Sequence, residues 1–208
     1  SIYQNINKKL NPNIILTIGN YNKKLLISKF KNRIKVYDTG YLRLKKNNYS
    51  KKKKIKNKTI KILVMPEGIP SEIQLLINFC LKNYNKGITY NLRMHPIFKK
   101  SNFIDKMINK KDTNIKISNN NLYYDFKNND LILYRGTAAV LDAIKFGLIP
   151  LYLENKDEVS VDPLFQLNKH HILKNNKNLL DFISQILTQK KYLNEQKKMK
   201  QFSKSFYQ

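Results

Sequence analysis

Residues 131–154 read LILYRGTAAVLDAIKFGLIPLYLE, and this stretch decides the fold. Leu131 to Tyr134 is a continuous apolar run of strand length, as expected of a strand covered on both faces. Gly136 and Thr137 then open a helix whose apolar positions Val140, Leu141 and Ile144 recur at helical spacing, and Gly147 closes it. Leu148 to Leu153 is a second apolar run. A strand, a tight turn, a helix and a strand in so short a span make a βαβ unit with parallel strands and a right-handed crossover.

The same grammar continues outward. Upstream, Ile60 to Met65 is another apolar strand, and Pro66, Gly68 and Pro70 make the turn after it. Ser71 with Gln74 three residues on is expected as a capping box. Ile73, Leu76, Phe79, Cys80 and Tyr84 supply the apolar face of that helix, and Gly87 ends it. Ile88 to Leu92 and Ile115 to Ile117 read as strands, with Leu122 to Phe126 as a helical turn. Nearer the N-terminus, strands Asn13 to Ile18 and Arg33 to Tyr37 flank a short helix, Lys23 to Phe30. Downstream, Leu179, Leu180, Phe182, Ile183, Ile186 and Leu187 form an amphipathic helix. The expected fold class is α/β: a Rossmann-like parallel sheet with helices on both faces.

Residues 45–58 are rich in Lys and Asn and carry no hydrophobic period, so they mark a basic linker and a domain boundary. The expected organisation is a small unit over 1–44, the linker 45–58, the main domain 59–188, and a basic tail or helix over 189–208. No run of eighteen apolar residues occurs, so no spanning helix is expected. The single Cys80 excludes a disulfide framework and fits a reducing compartment. The net charge of +26 would ordinarily point to nucleic acid or an anionic membrane. Here it is carried almost wholly by Lys scattered among Asn, Ile and Tyr, the bias of AT-rich codons. With no aromatic stacking motif or recognition helix, a specific nucleic-acid partner is not expected.

In open parallel sheets ligands bind outside the carboxyl ends of the strands, so the candidate residues are those that follow each strand. Glu67-Gly68, after the first strand of the main domain, suits a ribose or sugar hydroxyl; alternatively Glu67, and more readily Glu72 five residues on, complements the following helix dipole in a tight turn. Arg93-Met94-His95-Pro96 suits a phosphate: Arg93 by a bidentate charge-assisted bond, His95 as a donor pointing the same way, Pro96 fixing the exit. Tyr134-Arg135-Gly136-Thr137-Ala138 combines a glycine that admits a ligand to the backbone with a candidate N-cap at Thr137, an anion cradle or plain capping. Asp142, one turn into that helix, faces either the site or solvent. His170 and His171 are expected at the surface. No HExxH, paired CxxC, Asp-x-Asp, P-loop or GxGxxG motif is present, so neither metal nor cofactor is expected.

With these segments on the page, the sequence resembles bacterial surface and capsular polysaccharide glycosyltransferases of the two-Rossmann-domain (GT-B) type. It is similar, more distantly, to polysialyltransferases and to enzymes that polymerise glycerol phosphate from CDP-glycerol. The resemblance rests on ILVMPEGIPSE (62–72), LRMHP (92–96), residues 131–154 and VDPLFQL (161–167), and covers roughly residues 13 to 188. It implies the C-terminal, donor-binding half of a GT-B fold, preceded by a remnant of the N-terminal domain. Gly40 and Arg43, in VYDTGYLR (36–43), match a Gly-x-x-Arg element near the interdomain linker. The resemblance further implies metal-independent sugar transfer from a nucleotide-activated donor to a surface polysaccharide or lipid-linked glycan. His95, Arg93 and Glu67 would act in catalysis and Gly68, Pro96, Tyr134, Arg135, Gly136, Thr137, Ala138, Asp142, Gly40 and Arg43 would contact substrate. The implied location is cytoplasmic, with peripheral contact at the anionic inner face of the membrane. The alternatives are a CDP-polyol phosphotransferase of the same fold, an inactive truncated relative, and, last, a basic nucleic-acid binder.

Overall fold

The computed structural model describes residues 12–31, 33–40, 59–98, 104, 108, 114–158, 160–165, 167, 171–174, 179–186 and 189–207. The expected linker 45–58, Arg43 and His170 lie outside the described residues. The chain divides into two compact units, Ser1–Asn48 with Gln201–Gln208, and Tyr49–Lys200.

The first unit contains a βαβ element. Strand β1 (Ile14–Thr17) and strand β2 (Lys35–Asp38) pair in parallel, with helix α1 (Asn20–Phe30) between them in sequence. Leu26 and Val36 are buried. The Asp38 carboxylate accepts the backbone N–H groups of Gly19 and Gly40, at 3.0 and 2.9 Å. Gly40 sits at φ 67°, a left-handed conformation that favours glycine.

The second unit is a six-stranded, all-parallel sheet ordered β5-β4-β3-β6-β7-β8. Its strands are β3 (Ile60–Met65), β4 (Ile88–Leu92), β5 (Ile115–Ile117), β6 (Leu131–Tyr134), β7 (Ile149–Glu154) and β8 (His171–Lys174). Its helices are α2 (Pro70–Lys82), α3 (Leu122–Asn128), α4 (Ala139–Lys145) and α5 (Leu179–Ile186), followed by α6 (Gln189–Tyr207), of which the part up to Lys200 belongs to this unit. Alternate residues along each strand bury on opposite faces, as the pleat requires. Ile62, Val64, Tyr90, Leu92 and Leu133 join Ile73, Leu76 and Ile77 of α2 and Leu179 and Ile183 of α5 in one core cluster. Leu63, Met65, Ile132 and Tyr134 are buried on the alternate positions, as are Phe126 of α3 and Val140, Ala143 and Ile144 of α4.

Three local readings are corrected. Ser71 and Gln74 form no capping box: α2 starts at Pro70, its N-cap is Ile69 without a side-chain bond, and the pre-set φ of proline serves as the start signal. Thr137 is not the N-cap of α4, a position taken by Ala138; its hydroxyl accepts the N–H of Ala139 at a long 3.4 Å. His171 is not a plain surface residue but opens an additional strand, β8, with its ring edge-on to Phe182 and its Nε2 3.4 Å from Glu195. The stretch expected as a basic tail or helix is the 19-residue helix α6. It is anchored in the second unit: Tyr192 and Met199 are buried, the Tyr192 hydroxyl donates to Asp130 O, and Gln196 donates to Gly147 O. Among the described residues no helix is long and apolar enough to cross a membrane.

Candidate functional site

From β3 the chain steps one way across the sheet through β4 and β5, and from β6 the other way through β7 and β8. The order therefore reverses between the adjacent strands β3 and β6. Loops leaving the carboxyl ends of such strands diverge and open a crevice, the usual ligand position in this architecture. Glu67-Gly68 and Arg135-Gly136 are the two loops that flank it.

These loops touch. A Cβ built on Gly136 would lie 2.8 Å from Glu67 Cδ and closer still to its Oε2, so the Glu67 carboxyl rests directly on the Gly136 backbone. Gly68, at φ 106°, needs the conformational freedom of glycine, and His95 packs on it: a Cβ there would meet the imidazole Cγ at 3.1 Å. The Ile97 N–H donates to His95 Nδ1 at 3.4 Å. An acceptor Nδ1 places the proton of the neutral ring on Nε2, so the ring presents a donor on its far edge. Glu67, Gly68, His95 and Gly136 thus form one contiguous set at the switch point.

Gly136→Ala is expected to separate site from fold. Glu67 is exposed and its carboxyl can swing away, so the stability change should stay below about 1 kcal/mol. Its carboxyl would nevertheless lose its seat, and ligand affinity should fall; a thermal melt beside a binding titration checks both.

Arg93 departs from its expected role. Beyond Leu92 the chain has left the strand, so strand alternation no longer aligns residues 93 and 95. The Arg93 guanidinium turns to α3, donating to Asp125 Oδ2 and Asn120 O at 2.7 Å each. Ser118 holds the other Asp125 oxygen at 2.7 Å. With Asp125 only 3% exposed, this is a structural ion pair. Arg93→Ala should cost about 2 kcal/mol by leaving a buried carboxylate. Arg93→Ala with Asp125→Asn should recover part of that in a melting experiment.

Tyr134 and Arg135 are corrected as well. Tyr134 is fully buried and its hydroxyl donates to Asp162 at 2.8 Å; burial, with Asp162 beside it, pushes that hydroxyl well above the usual phenol range. Asp162 also accepts the Leu164 N–H, so the pair ties down the loop after β7. Arg135 is 2% exposed and pairs with Glu158 at 2.7 Å. Asp142 pairs with Lys145 one turn on, at 3.0 Å. Thr137 and Ala138 stay accessible next to Gly136, and Pro96 starts an exposed 3₁₀ turn. Gly40 belongs to the other unit.

The sequence reading gives Glu72 chiefly to the helix dipole, and the structure turns it inward instead. It lies in the first turn of α2 and is 7% exposed, and its Oε2 accepts the Glu67 N–H at 2.9 Å. Burial, reinforced by the Glu67 charge, raises its carboxyl above the ordinary value; the Glu67 N–H, the Arg135 charge and the Gly136 N–H pull the other way. The available signal was a second acid, five residues after Glu67, in the first turn of a helix leaving the same loop.

No protein-family model matches the chain, and no curated protein matches it. Solved structures do. The glycosyltransferase SnogD from Streptomyces nogalater matches with a TM-score of 0.53 at 11% identity, over 84% of this chain and 48% of that one. Anabaena Alr3699/HepE in complex with UDP-glucose matches with a TM-score of 0.58 at 10% identity, over 95% and 60%. The S. aureus MnaA–UDP co-structure matches with a TM-score of 0.57 at 16% identity, over 94% and 56%. At these identities the likeness concerns the fold, and the chain spans about half to three-fifths of the length of the proteins it matches.

Proposed function

We propose that the fold, a half of the GT-B type, serves here as the nucleotide-sugar-binding half of a glycosyltransferase that delivers sugar to a surface polysaccharide or lipid-linked glycan. The observation that carries the reading is the contact of Glu67 with Gly136 and of His95 with Gly68 at the switch point. Two similar folds solved with UDP-glucose or UDP support it. In this reading the donor lies across the crevice. His95 Nε2–H meets a phosphoryl oxygen, and Glu67 accepts a hydroxyl of the ribose or the sugar. Breaking the glycosidic bond leaves negative charge on the departing nucleotide. A preorganised donor aimed at that charge lowers the barrier. With Arg93 held by Asp125, this work falls to His95 and to the backbone N–H groups beside Thr137. No step needs a metal. The acceptor reaches the site at the cytoplasmic face of the membrane, and the net positive charge favours peripheral contact with its anionic lipids.

A melting panel with UDP-glucose, GDP-mannose, CMP-N-acetylneuraminate and CDP-glycerol tests the reading. One nucleotide sugar at about 100 times its Kd should add about 2.7 kcal/mol of stability. That raises Tm by roughly 5–10 °C at this chain length. Protection by CDP-glycerol alone would turn the assignment to polyol-phosphate transfer. Protection by none would remove it.

A further inference from the structure

The buried carboxyl of Glu72 stands at the junction of the two loops that build the crevice. It receives the N–H of Glu67, the residue that lies on Gly136, across a 2.9 Å hydrogen bond. It also feels the guanidinium of Arg135 and the N–H of Gly136, both in the loop after β6. Among the described residues, two buried polar atoms around the junction have no hydrogen-bond partner, Glu72 Oε1 and Arg135 Nε. An unpartnered buried polar group costs about 1–3 kcal/mol, so each calls for an explanation. A helix start needs none of this: Pro70 already begins α2, and an exposed acid would complement its dipole. Glu72 instead turns inward, toward the backbone of the residue whose side chain lies on Gly136.

We propose that Glu72 is the positioning residue of the site: one buried carboxyl that holds the backbone of Glu67, and through it seats the Glu67 side chain on Gly136 in the loop after β6, as an acceptor for a hydroxyl of the donor. The inference rests on the donor-site reading for the ligand, but the link itself is a property of the ligand-free chain. Glu72 touches no reacting atom and acts through Glu67.

Two measurements on the whole chain decide it. The first is amide hydrogen exchange without ligand, in wild type, Glu72→Gln and Glu72→Ala. Glu72→Ala should speed exchange in residues 66–69 and in 135–138 together. Glu72→Gln keeps an oxygen for the Glu67 N–H, so it should spare both segments. Wild-type exchange at 135–138 in Glu72→Ala overturns the link. The second is a double-mutant cycle on affinity for the nucleotide sugar that protects best in the four-compound panel. Glu67→Ala and Glu72→Ala should each weaken binding about 3- to 10-fold, the worth of one hydrogen bond. The double variant should bind no worse than Glu67→Ala alone, because both act on one contact. Additive losses overturn the positioning role even if the link stands. If wild type binds no nucleotide, the donor-site reading is what fails, and exchange still decides the link.

Discussion

Replacing His95 by Ala is expected to lower turnover at saturating donor by about 10²–10³, the cost of removing one preorganised donor from a developing negative charge. The argument begins with the ring's seat. His95 packs on Gly68, whose missing Cβ leaves room for it, and the Ile97 N–H occupies Nδ1. Those two contacts orient the ring and, in the proposed reading, leave Nε2–H to meet the ligand. Once Arg93 is committed to Asp125, no other side chain among residues 92–96 can supply that donor at the crevice. His95→Gln, which restores an N–H on a more flexible arm of similar reach, should recover part of the loss. Arg93→Ala makes the contrast: it should lower Tm more than it lowers turnover. Unchanged turnover in His95→Ala would detach the imidazole from the chemistry.

The second large effect concerns stability. Tyr192→Ala should cost about 3–5 kcal/mol, since it empties a fully buried aromatic site. It also removes the hydrogen bond to Asp130 O, at the turn before β6. At about 2–4 °C per kcal/mol for a chain of this size, Tm should drop by roughly 10 °C. Met199, buried on the same helix, should behave similarly on a smaller scale. The same substitution in a solvated tail would leave Tm unchanged, so one melt distinguishes an integral α6 from an appended one.

Most of the sheet was legible because its strands are buried on both faces. Ile60–Met65 and Leu131–Tyr134 are unbroken apolar runs, and a run of that kind with Gly or Pro at its end has few other readings. β8 was not legible, because His171–Lys174 is a short edge strand with one buried residue, Leu173, between exposed Ile172 and Lys174. α6 was obscured by its Lys content. Its buried positions Tyr192, Gln196, Met199 and Ser203 keep helical spacing, but two are polar and the lysines between them mask the stripe. At the site, strand-end position was enough to select Glu67, Gly68, His95 and Gly136, because topology alone brings those loops together. It could not reveal that Arg93 would be taken by Asp125, 32 residues on, or Tyr134 by Asp162, 28 residues on. Sequence spacing carries no information about such pairs, since they depend on how α3 and the loop after β7 return to the sheet. Glu72 was not legible as part of the site for a related reason: a first-turn acid ordinarily serves the helix dipole, and only burial shows that this one faces inward.

The central claim is that a nucleotide's phosphoryl group is held where β3 and β6 part. The most direct measurement is a crystal structure with the nucleotide sugar that protects best in the melting panel. The account predicts a phosphoryl oxygen within about 3 Å of His95 Nε2 and a ligand hydroxyl at a similar distance from the Glu67 carboxylate. A nucleotide bound elsewhere on the sheet, with His95 and Glu67 still in contact with Gly68 and Gly136 alone, would contradict it.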